Sequence, residues 1–176
     1  MISFRYAKGV FDLTKWFLVA AFLIVIFNYF FVTAFFVSGP SMEPNLHDRA
    51  AVLVNRLVYR LHAPERGDLV VVRYPGDPNQ TSYVKRVIGL PGETVTVSGG
   101  KVAINGRVLT ESYLESGLIT EPDGTRAVPV DQYFTMGDNR PLSSDSRFYG
   151  PVESRFVLGR VELTIWPFTL YPAVIY

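Results

Sequence analysis

The chain of 176 residues has 17 Lys and Arg against 16 Asp and Glu, no cysteine, two histidines and 48% hydrophobic residues. A net charge of +1, with the basic residues scattered along the chain, argues against a nucleic-acid-binding surface. Without thiols, and with only His47 and His62, the sequence predicts no disulfide framework, no structural metal site and no cofactor.

The first predicted element is a membrane helix at residues 16–37. This segment has no charged residue, and 20 of its 22 residues are hydrophobic. At ~1.5 Å per residue, it is long enough to cross a bilayer core of ~30 Å. A cleavable signal peptide would have a shorter apolar region of ~7–15 residues, and a core helix this apolar would need to be buried on every side. We therefore expect a transmembrane anchor.

The charges that flank this segment predict its orientation. Residues 1–15 contain three basic residues and one acidic residue, so they are net positive. The positive-inside rule then assigns residues 1–15 to the cytoplasm and residues 38–176 to the opposite side of the membrane. The sequence thus predicts a single-pass protein with one extracytoplasmic domain.

Beyond the anchor, short runs rich in β-branched and aromatic residues alternate with Gly, Pro and Asn. These runs predict strands at Ala50–Asn55, Leu69–Tyr74, Ser82–Ile88, Thr94–Ser98, Val102–Asn105, Val108–Thr110, Tyr133–Met136 and Val157–Ile165. Gly99-Gly100 and Asn105-Gly106 predict tight turns, so residues 94–110 should form a three-stranded meander within a smaller inserted hairpin region at about 92–132. Residues 56–62 fit a short helix or a strand end. The predicted fold class is mostly β, with antiparallel sheets behind one N-terminal helix.

A turn of sequence Ser-Gly-Pro-Ser-Met-Glu-Pro follows the anchor at residues 38–44. Gly39 and Pro40 constrain the backbone before Ser41, so the Ser41 hydroxyl would lie beside backbone N–H groups of the kind that form an oxyanion hole. A simple linker leaving a membrane helix would have a similar composition. The turn alone does not decide between these two interpretations.

Lys85 is the second candidate for chemistry. The chain has four lysines, and only Lys85 and Lys101 lie beyond the anchor, against twelve arginines. Lys101 follows a Gly-Gly turn and is expected in solvent. Lys85 shares a strand face with Tyr83 and Val87, where partial desolvation would lower its pKa towards the range of a general base. Most strand lysines are exposed, so this spacing alone does not assign the role.

A third segment, residues 136–147, consists mostly of charged, amide and hydroxyl residues and ends close to Gly150-Pro151. An ordinary polar turn would explain this composition. Two Asp–Arg pairs that flank several hydroxyls would also suit a hydrogen-bonded scaffold that positions catalytic groups.

Together with Arg66-Gly67-Asp68-Leu69-Val70, these segments resemble, in the same order, the conserved boxes of the bacterial type I signal peptidases. The nucleophile box of that family is similar to residues 39–44, and its lysine box to residues 83–93. Its Gly-Asp-Asn-Arg box and the following Ser-x-Asp-Ser-Arg-x-x-Gly are similar to residues 137–140 and 143–150. The resemblance runs from the anchor to the last strand and is to the compact, single-anchor form.

The resemblance implies a Ser/Lys dyad in an antiparallel β catalytic domain. Ser41 would attack the scissile carbonyl, and neutral Lys85 would take its proton and pass it to the leaving amine. Ser143 would orient the lysine amine. The scaffold around these residues would contain Asp138, Arg140, Asp145 and Arg147. The oxyanion and substrate loop would contain Gly39, Pro40 and Met42.

Gly39 stands where some members of that family have a serine, so an oxyanion hole made of backbone N–H groups is expected. The implied activity is removal of signal peptides from exported preproteins, with cleavage after small residues at −1 and −3. The implied partners are extended signal peptides and the lipid bilayer, near the protein-export channel. The implied location is the bacterial cytoplasmic membrane.

Two other functions remain open at this point. One is a Ser/His/Asp protease that uses His47 or His62 as its base. The other is an anchored β-domain without catalytic activity that serves binding or assembly, with Ser41 in a linker.

Overall fold

The computed structural model describes residues 2–74, 76–79, 81–166 and 169–170, and two antiparallel sheets form most of this part of the chain. The strands of the larger sheet are β1 (Val32–Phe36), β2 (Ala51–Asn55), β3 (Leu69–Arg73), β4 (Ser82–Gly89), β9 (Gln132–Met136), β10 (Val152–Glu153), β11 (Val157–Trp166) and β12 (Thr169–Leu170). The strands of the smaller sheet are β5 (Thr94–Ser98), β6 (Lys101–Ile104), β7 (Arg107–Val108) and β8 (Gly124–Ala127). The prediction of a mostly β, antiparallel fold is confirmed.

The larger sheet has the order β1-β2-β11-β3-β4-β9-β10, with β12 also paired to β11, and the smaller sheet has the order β7-β6-β5-β8. All eight predicted strands are present, with ends within two residues of the expected ones. The predicted meander is β5, β6 and β7, and positive φ at Gly99, Gly100, Asn105 and Gly106 makes its turns. The ambiguous residues 56–62 contain the short helix α2 (Val58–Leu61).

The N-terminal helix differs from the expected segment. Helix α1 runs from Ile2 to Phe31, and the chain continues as β1, which pairs antiparallel with β2. The expectation of helix up to residue 37 is therefore wrong, because an apolar run with β-branched and aromatic residues suits a strand as well as a helix, and pairing with β2 decides between them. Across the described residues, no helix combines the length and the hydropathy that a membrane crossing requires.

Buried apolar side chains connect the candidate segments to the sheets. Met42 and Leu46, in the loop between β1 and β2, pack in one cluster with residues such as Val52. A second cluster joins the smaller sheet to β4 and β9 through Ile88 and Phe134. Each fully buried aliphatic or aromatic side chain stabilises the fold by about 1.5–3 kcal/mol. These clusters fix the loop after β1 relative to β4, which carries Lys85, and relative to β9, which the polar segment follows.

Candidate active site

Hydrogen bonds and the buried side chain of Met42 fix the loop that carries Ser41. At its base, Val37 N donates to Ala50 O at 2.8 Å and Arg49 N donates to Val37 O at 3.0 Å. Gly39 has a φ of +89°, and its N–H donates to Asp48 Oδ1 at 2.8 Å. The neighbouring Met42 side chain is fully buried, whereas Ser41 is half-buried. The loop is therefore a fixed turn and differs from a free linker.

Lys85 lies in the interior, on the part of β4 that pairs with β3. Its side chain is only 2% exposed, and its Nζ donates to Ser143 Oγ at 2.9 Å. Burial lowers the pKa of Lys85 from 10.5 to about 8; the Asp145 carboxylate raises this pKa and the Arg147 guanidinium lowers it, both by smaller amounts. The predicted desolvation of this lysine is confirmed, and it is more complete than strand alternation alone indicated.

Gly137 brings the three candidate segments together. A methyl group at this position would lie 2.2 Å from Ser143 Oγ and 2.4 Å from Ser41 O, so both oxygens occupy the space that any larger residue would need. Two residues later, Asn139 N donates to Ser41 O at 3.1 Å. Ser143 also accepts from Lys85, and the serine loop, the lysine strand and the polar segment therefore meet at this point.

Asp145 and Arg147 form a buried pair behind Ser143. Asp145 accepts from Arg147 Nε at 2.8 Å and from Gly137 N at 3.0 Å, and it also caps the short helix α3 (Ser146–Tyr149). A guanidinium nitrogen of Arg147 donates to Ser143 O at 3.1 Å. The pair thus binds the backbone at Gly137 and at Ser143, on both sides of the Ser143 hydroxyl.

Asp138 and Arg140 are also buried, but they do not pair with each other. Asp138 accepts from Arg86 Nε at 2.8 Å and from a terminal nitrogen of Arg86 at 2.6 Å. Arg140 donates from Nε to Gly137 O at 3.0 Å and pairs through its terminal nitrogens with Glu111. Of the two Asp–Arg pairs expected within this segment, Asp145–Arg147 forms, whereas Asp138 and Arg140 take charged partners from other parts of the chain.

Sequence reasoning missed several members of this scaffold. Arg86 follows Lys85 and is 4% exposed, and a charged residue next to the candidate base was a visible signal. The remaining partners come from loops and had no such signal: they are Asn45, Glu111, Tyr113 and Thr120.

The two histidines are exposed. His47 lines an open cavity of about 330 Å³ together with Glu43 and Asn139, beside the Ser41 loop. His62 follows α2, in a different part of the fold. Lys85 is the basic side chain that hydrogen-bonds to the Ser143 hydroxyl.

Comparisons with known proteins indicate the family of this chain. The family described as "Signal peptidase, peptidase S26" matches residues 10–166. A signal peptidase I from Leptolyngbya laminosa is 37% identical over 147 residues, which cover 78% of this chain and 70% of the relative. Signal peptidase I S from Bacillus subtilis (strain 168) is 35% identical over 172 residues, which cover 92% of this chain and 91% of the relative.

Among solved structures, a signal peptidase I from Enterococcus faecalis V583 superposes with a TM-score of 0.50 at 34% sequence identity, covering 57% of this chain and 97% of that one. The family match covers most of the chain, and the relatives match along most of their own length. The chain therefore belongs to the signal peptidase family, peptidase S26, as a serine peptidase of the signal peptidase I type.

Proposed function

We propose that this protein removes signal peptides from exported preproteins with Ser41 as nucleophile and Lys85 as general base. The observation that carries the proposal is the state of Lys85: the amine is buried, its pKa is lowered to about 8, and it donates to Ser143. At pH 7 a lysine with this pKa is neutral in about one molecule in ten, against about one in three thousand at the ordinary pKa. Neutral amine at this level suffices for base catalysis at physiological pH.

In the proposed mechanism, Ser41 Oγ attacks the scissile carbonyl carbon while its proton moves to Lys85 Nζ. The tetrahedral intermediate collapses when protonated Lys85 gives the proton to the leaving amine, which departs as the new N-terminus of the mature protein. The signal peptide stays on Ser41 as an ester. Lys85, neutral again, then takes a proton from water while the water oxygen attacks the ester carbonyl carbon. As the bond to Ser41 Oγ breaks, Lys85 returns the proton to this oxygen, and the signal peptide leaves with a new C-terminal carboxyl group.

The oxyanion would be stabilised by backbone N–H groups. The Gly39 N–H is occupied, since it donates to Asp48, and the Asn139 N–H donates to Ser41 O. Gly39 also has no side chain to offer a hydroxyl. We therefore assign the Ser41 N–H to the oxyanion hole, where one well-directed donor contributes about 3–4 kcal/mol to the transition state.

An extended substrate would bind beside β4. Strand β3 pairs with β4 from Ser82 to Arg86, whereas β9 pairs with β4 only from Arg86 onward. In the part of the chain that the structure describes, no strand pairs with the other edge of residues 82–85, and an added strand would pair there. Such a strand would end beside Lys85, and side chains two residues apart, those at −1 and −3, would share one face.

We also propose that α1 anchors the enzyme in the cytoplasmic membrane, with residues 1–15 inside and residues 38–176 outside. The support is chemical: the described apolar side chains of α1 are largely exposed, from Phe11 at 68% and Trp16 at 66% to Phe22 at 64%. Exposed aromatic and aliphatic side chains at this density favour lipid over water. Ser41 follows this helix and β1 closely, so it would lie near the membrane surface, where signal peptides leave the bilayer.

The topology can be tested with single cysteines because the chain has none of its own. In intact spheroplasts, a thiol reagent that does not cross membranes should label Lys101→Cys and should label Ser3→Cys only after permeabilisation. Labelling of both positions before permeabilisation would contradict the proposed orientation.

The enzymatic proposal is tested by cleavage of a model preprotein by the full chain in detergent. We expect Ser41→Ala and Lys85→Ala to lose at least ~1000-fold in kcat/KM, since each removes one member of the dyad. The matched controls are Ser144→Ala and Lys101→Ala, which remove exposed side chains of the same types and should retain activity. If Ser41→Ala cleaves as well as the wild type, the non-catalytic binding function is favoured. If replacing both His47 and His62 by Ala abolishes cleavage of this substrate, a histidine base is favoured over Lys85.

A further inference from the structure

A loop from the smaller sheet contacts the scaffold of the active site. It runs through residues 109–122, between β7 and β8, and Thr120 within it forms an isolated bridge with Gly100. The Glu111 carboxylate and the Tyr113 ring of this loop contact arginines that belong to the motifs around Lys85 and Gly137. The Ser/Lys mechanism by itself assigns no task to this loop.

Glu111 is the charged partner of a fully buried arginine. The Arg140 side chain is 0% exposed, and its two terminal nitrogens donate to the two carboxylate oxygens of Glu111. One of these nitrogens also donates to Thr120 Oγ1 at 2.8 Å. A guanidinium so deeply buried needs a carboxylate in this geometry, because little solvent is available to compensate its charge.

Arg140 transmits this contact to the backbone at the active site. Its Nε donates to Gly137 O at 3.0 Å. Gly137 is the residue whose missing side chain leaves room for Ser143 Oγ and Ser41 O. A shift of the Gly137 carbonyl would therefore move the contact on which the alignment of the two serines depends.

Tyr113 adds a second connection from the same loop. Its ring lies under the Arg86 guanidinium at 4.1 Å, and its hydroxyl donates to Glu111 Oε1 at 2.7 Å. Its backbone oxygen accepts from Asn45 Nδ2 at 2.8 Å, and the same amide donates to Asp138 at 2.9 Å. The loop therefore contacts the segment that follows Ser41, the strand of Lys85 and the Gly137 segment at once.

We propose that Glu111 is a positioning residue of the active site, acting through Arg140 on Gly137 and Ser143. The proposal rests on the Ser/Lys mechanism above. Glu111 fixes Arg140, Arg140 fixes the Gly137 carbonyl, and Gly137 keeps Ser143 in place to orient the Lys85 amine. Because reacting groups must be aligned to within a fraction of an ångström, a small change at this position lowers the rate of chemistry more than the binding of substrate.

The test compares Glu111→Gln with the wild type in cleavage of the model preprotein by the full chain. We expect kcat to fall roughly 10- to 100-fold, because the amide is neutral and has an NH2 donor in place of one of the two oxygens that accept from Arg140. KM should stay within about twofold, because the hydrogen-bond partners of the Glu111 carboxylate are Tyr113 and Arg140 and not residues 82–85, beside which the substrate would bind. Glu111→Asp keeps the charge and should recover part of kcat.

Glu162→Gln is the matched control. Glu162 pairs with Arg160 at 3.1 Å on β11 and bonds to Asn55, away from Gly137. This control should change kcat by less than about twofold even where it lowers Tm. If Glu111→Gln lowers Tm but keeps the kcat of the wild type at a temperature where both are folded, the positioning role is refuted.

Tyr113→Phe keeps the proposal testable where Glu111→Gln does not fold. This variant retains the ring under Arg86 and removes only the O–H that Tyr113 donates to Glu111. We expect kcat to fall several-fold, and an unchanged kcat would overturn the proposal. Ser41→Ala, measured in parallel, separates the two claims. Cleavage by Ser41→Ala refutes the proposed mechanism, whereas an inactive Ser41→Ala with unchanged Glu111 and Tyr113 variants refutes only the positioning role.

Discussion

Replacing Lys85 by Met should abolish activity and stabilise the protein. Methionine has a similar length and no charge, so it fits a buried site without the cost of desolvating an ammonium group. The lowered pKa measures this cost: a change from 10.5 to about 8 corresponds to about 3 kcal/mol at neutral pH. Loss of the hydrogen bond to Ser143 offsets about 1 kcal/mol of this. We expect a net gain of about 2 kcal/mol.

The stability gained by Lys85→Met should depend on pH. In the folded protein the pKa of Lys85 lies below its ordinary value, so between about pH 8 and pH 10.5 the unfolded chain binds more protons than the folded one. The penalty is therefore fully present below about pH 8 and disappears as the pH rises to 10.5. The advantage of Lys85→Met should shrink across the same interval.

The assay is thermal unfolding of the full chain in detergent at pH 7 and at pH 10. Lys101→Met, at an exposed position of the same residue type, is the control and should leave Tm unchanged at both values. A Lys85→Met variant that is less stable than the wild type at pH 7 would refute the reasoning. A gain of the same size at pH 7 and pH 10 would show that packing, and not the charge, is responsible.

Three further predictions concern the same site. The value of kcat/KM should rise with pH through about 8 as Lys85 loses its proton, and a pH–rate profile without this limb would contradict the lysine base. Gly137→Ala should lower kcat at least ~100-fold because its methyl group meets two oxygens, whereas Gly124→Ala, with open space around it, should retain activity; equal activities would contradict the contact at Gly137. Arg86→Met should lower the free energy of unfolding by about 3–5 kcal/mol because it leaves the buried Asp138 carboxylate without its cation, and a loss below ~1 kcal/mol in urea unfolding would contradict that account.

The sequence predicts strands best where segments of alternating polar and apolar residues are separated by turn residues. The strands β5 to β7 follow from their alternation and from the glycines between them, which adopt positive φ. Among the elements that were not predicted, two were missed for opposite reasons. Strand β1 belongs to a continuous apolar run, in which helix and strand have the same pattern. All four residues of β8 (Gly124–Ala127) are exposed, so no buried face indicates a strand there. Both are defined by backbone pairing with a neighbour that the local sequence does not contain.

In the candidate site, too, some features could be predicted from the sequence and others could not. Partial burial of Lys85 could be predicted from Tyr83 and Val87 on the same strand face, whereas its proposed role was suggested only by the resemblance of residues 83–93 to the lysine box of the family. The partner of Asp138 could not be predicted from its own segment, since Arg86 is 52 residues away in sequence, and Glu111 lies 29 residues from Arg140. Buried charges require partners, but a sequence alone does not tell which of several carboxylates the fold brings to each arginine.

The early end of β9 bears on how the enzyme would choose a peptide bond. Because β9 occupies the edge of β4 from Arg86 onward, a substrate strand on residues 82–85 would meet a fixed stop next to the dyad. Sliding by one residue would turn every substrate side chain to the opposite face. If the substrate binds in this way, the end of β9 sets the register of the substrate strand. The cleavage site would then be selected by its distance from Arg86 along β4 as well as by its small side chains.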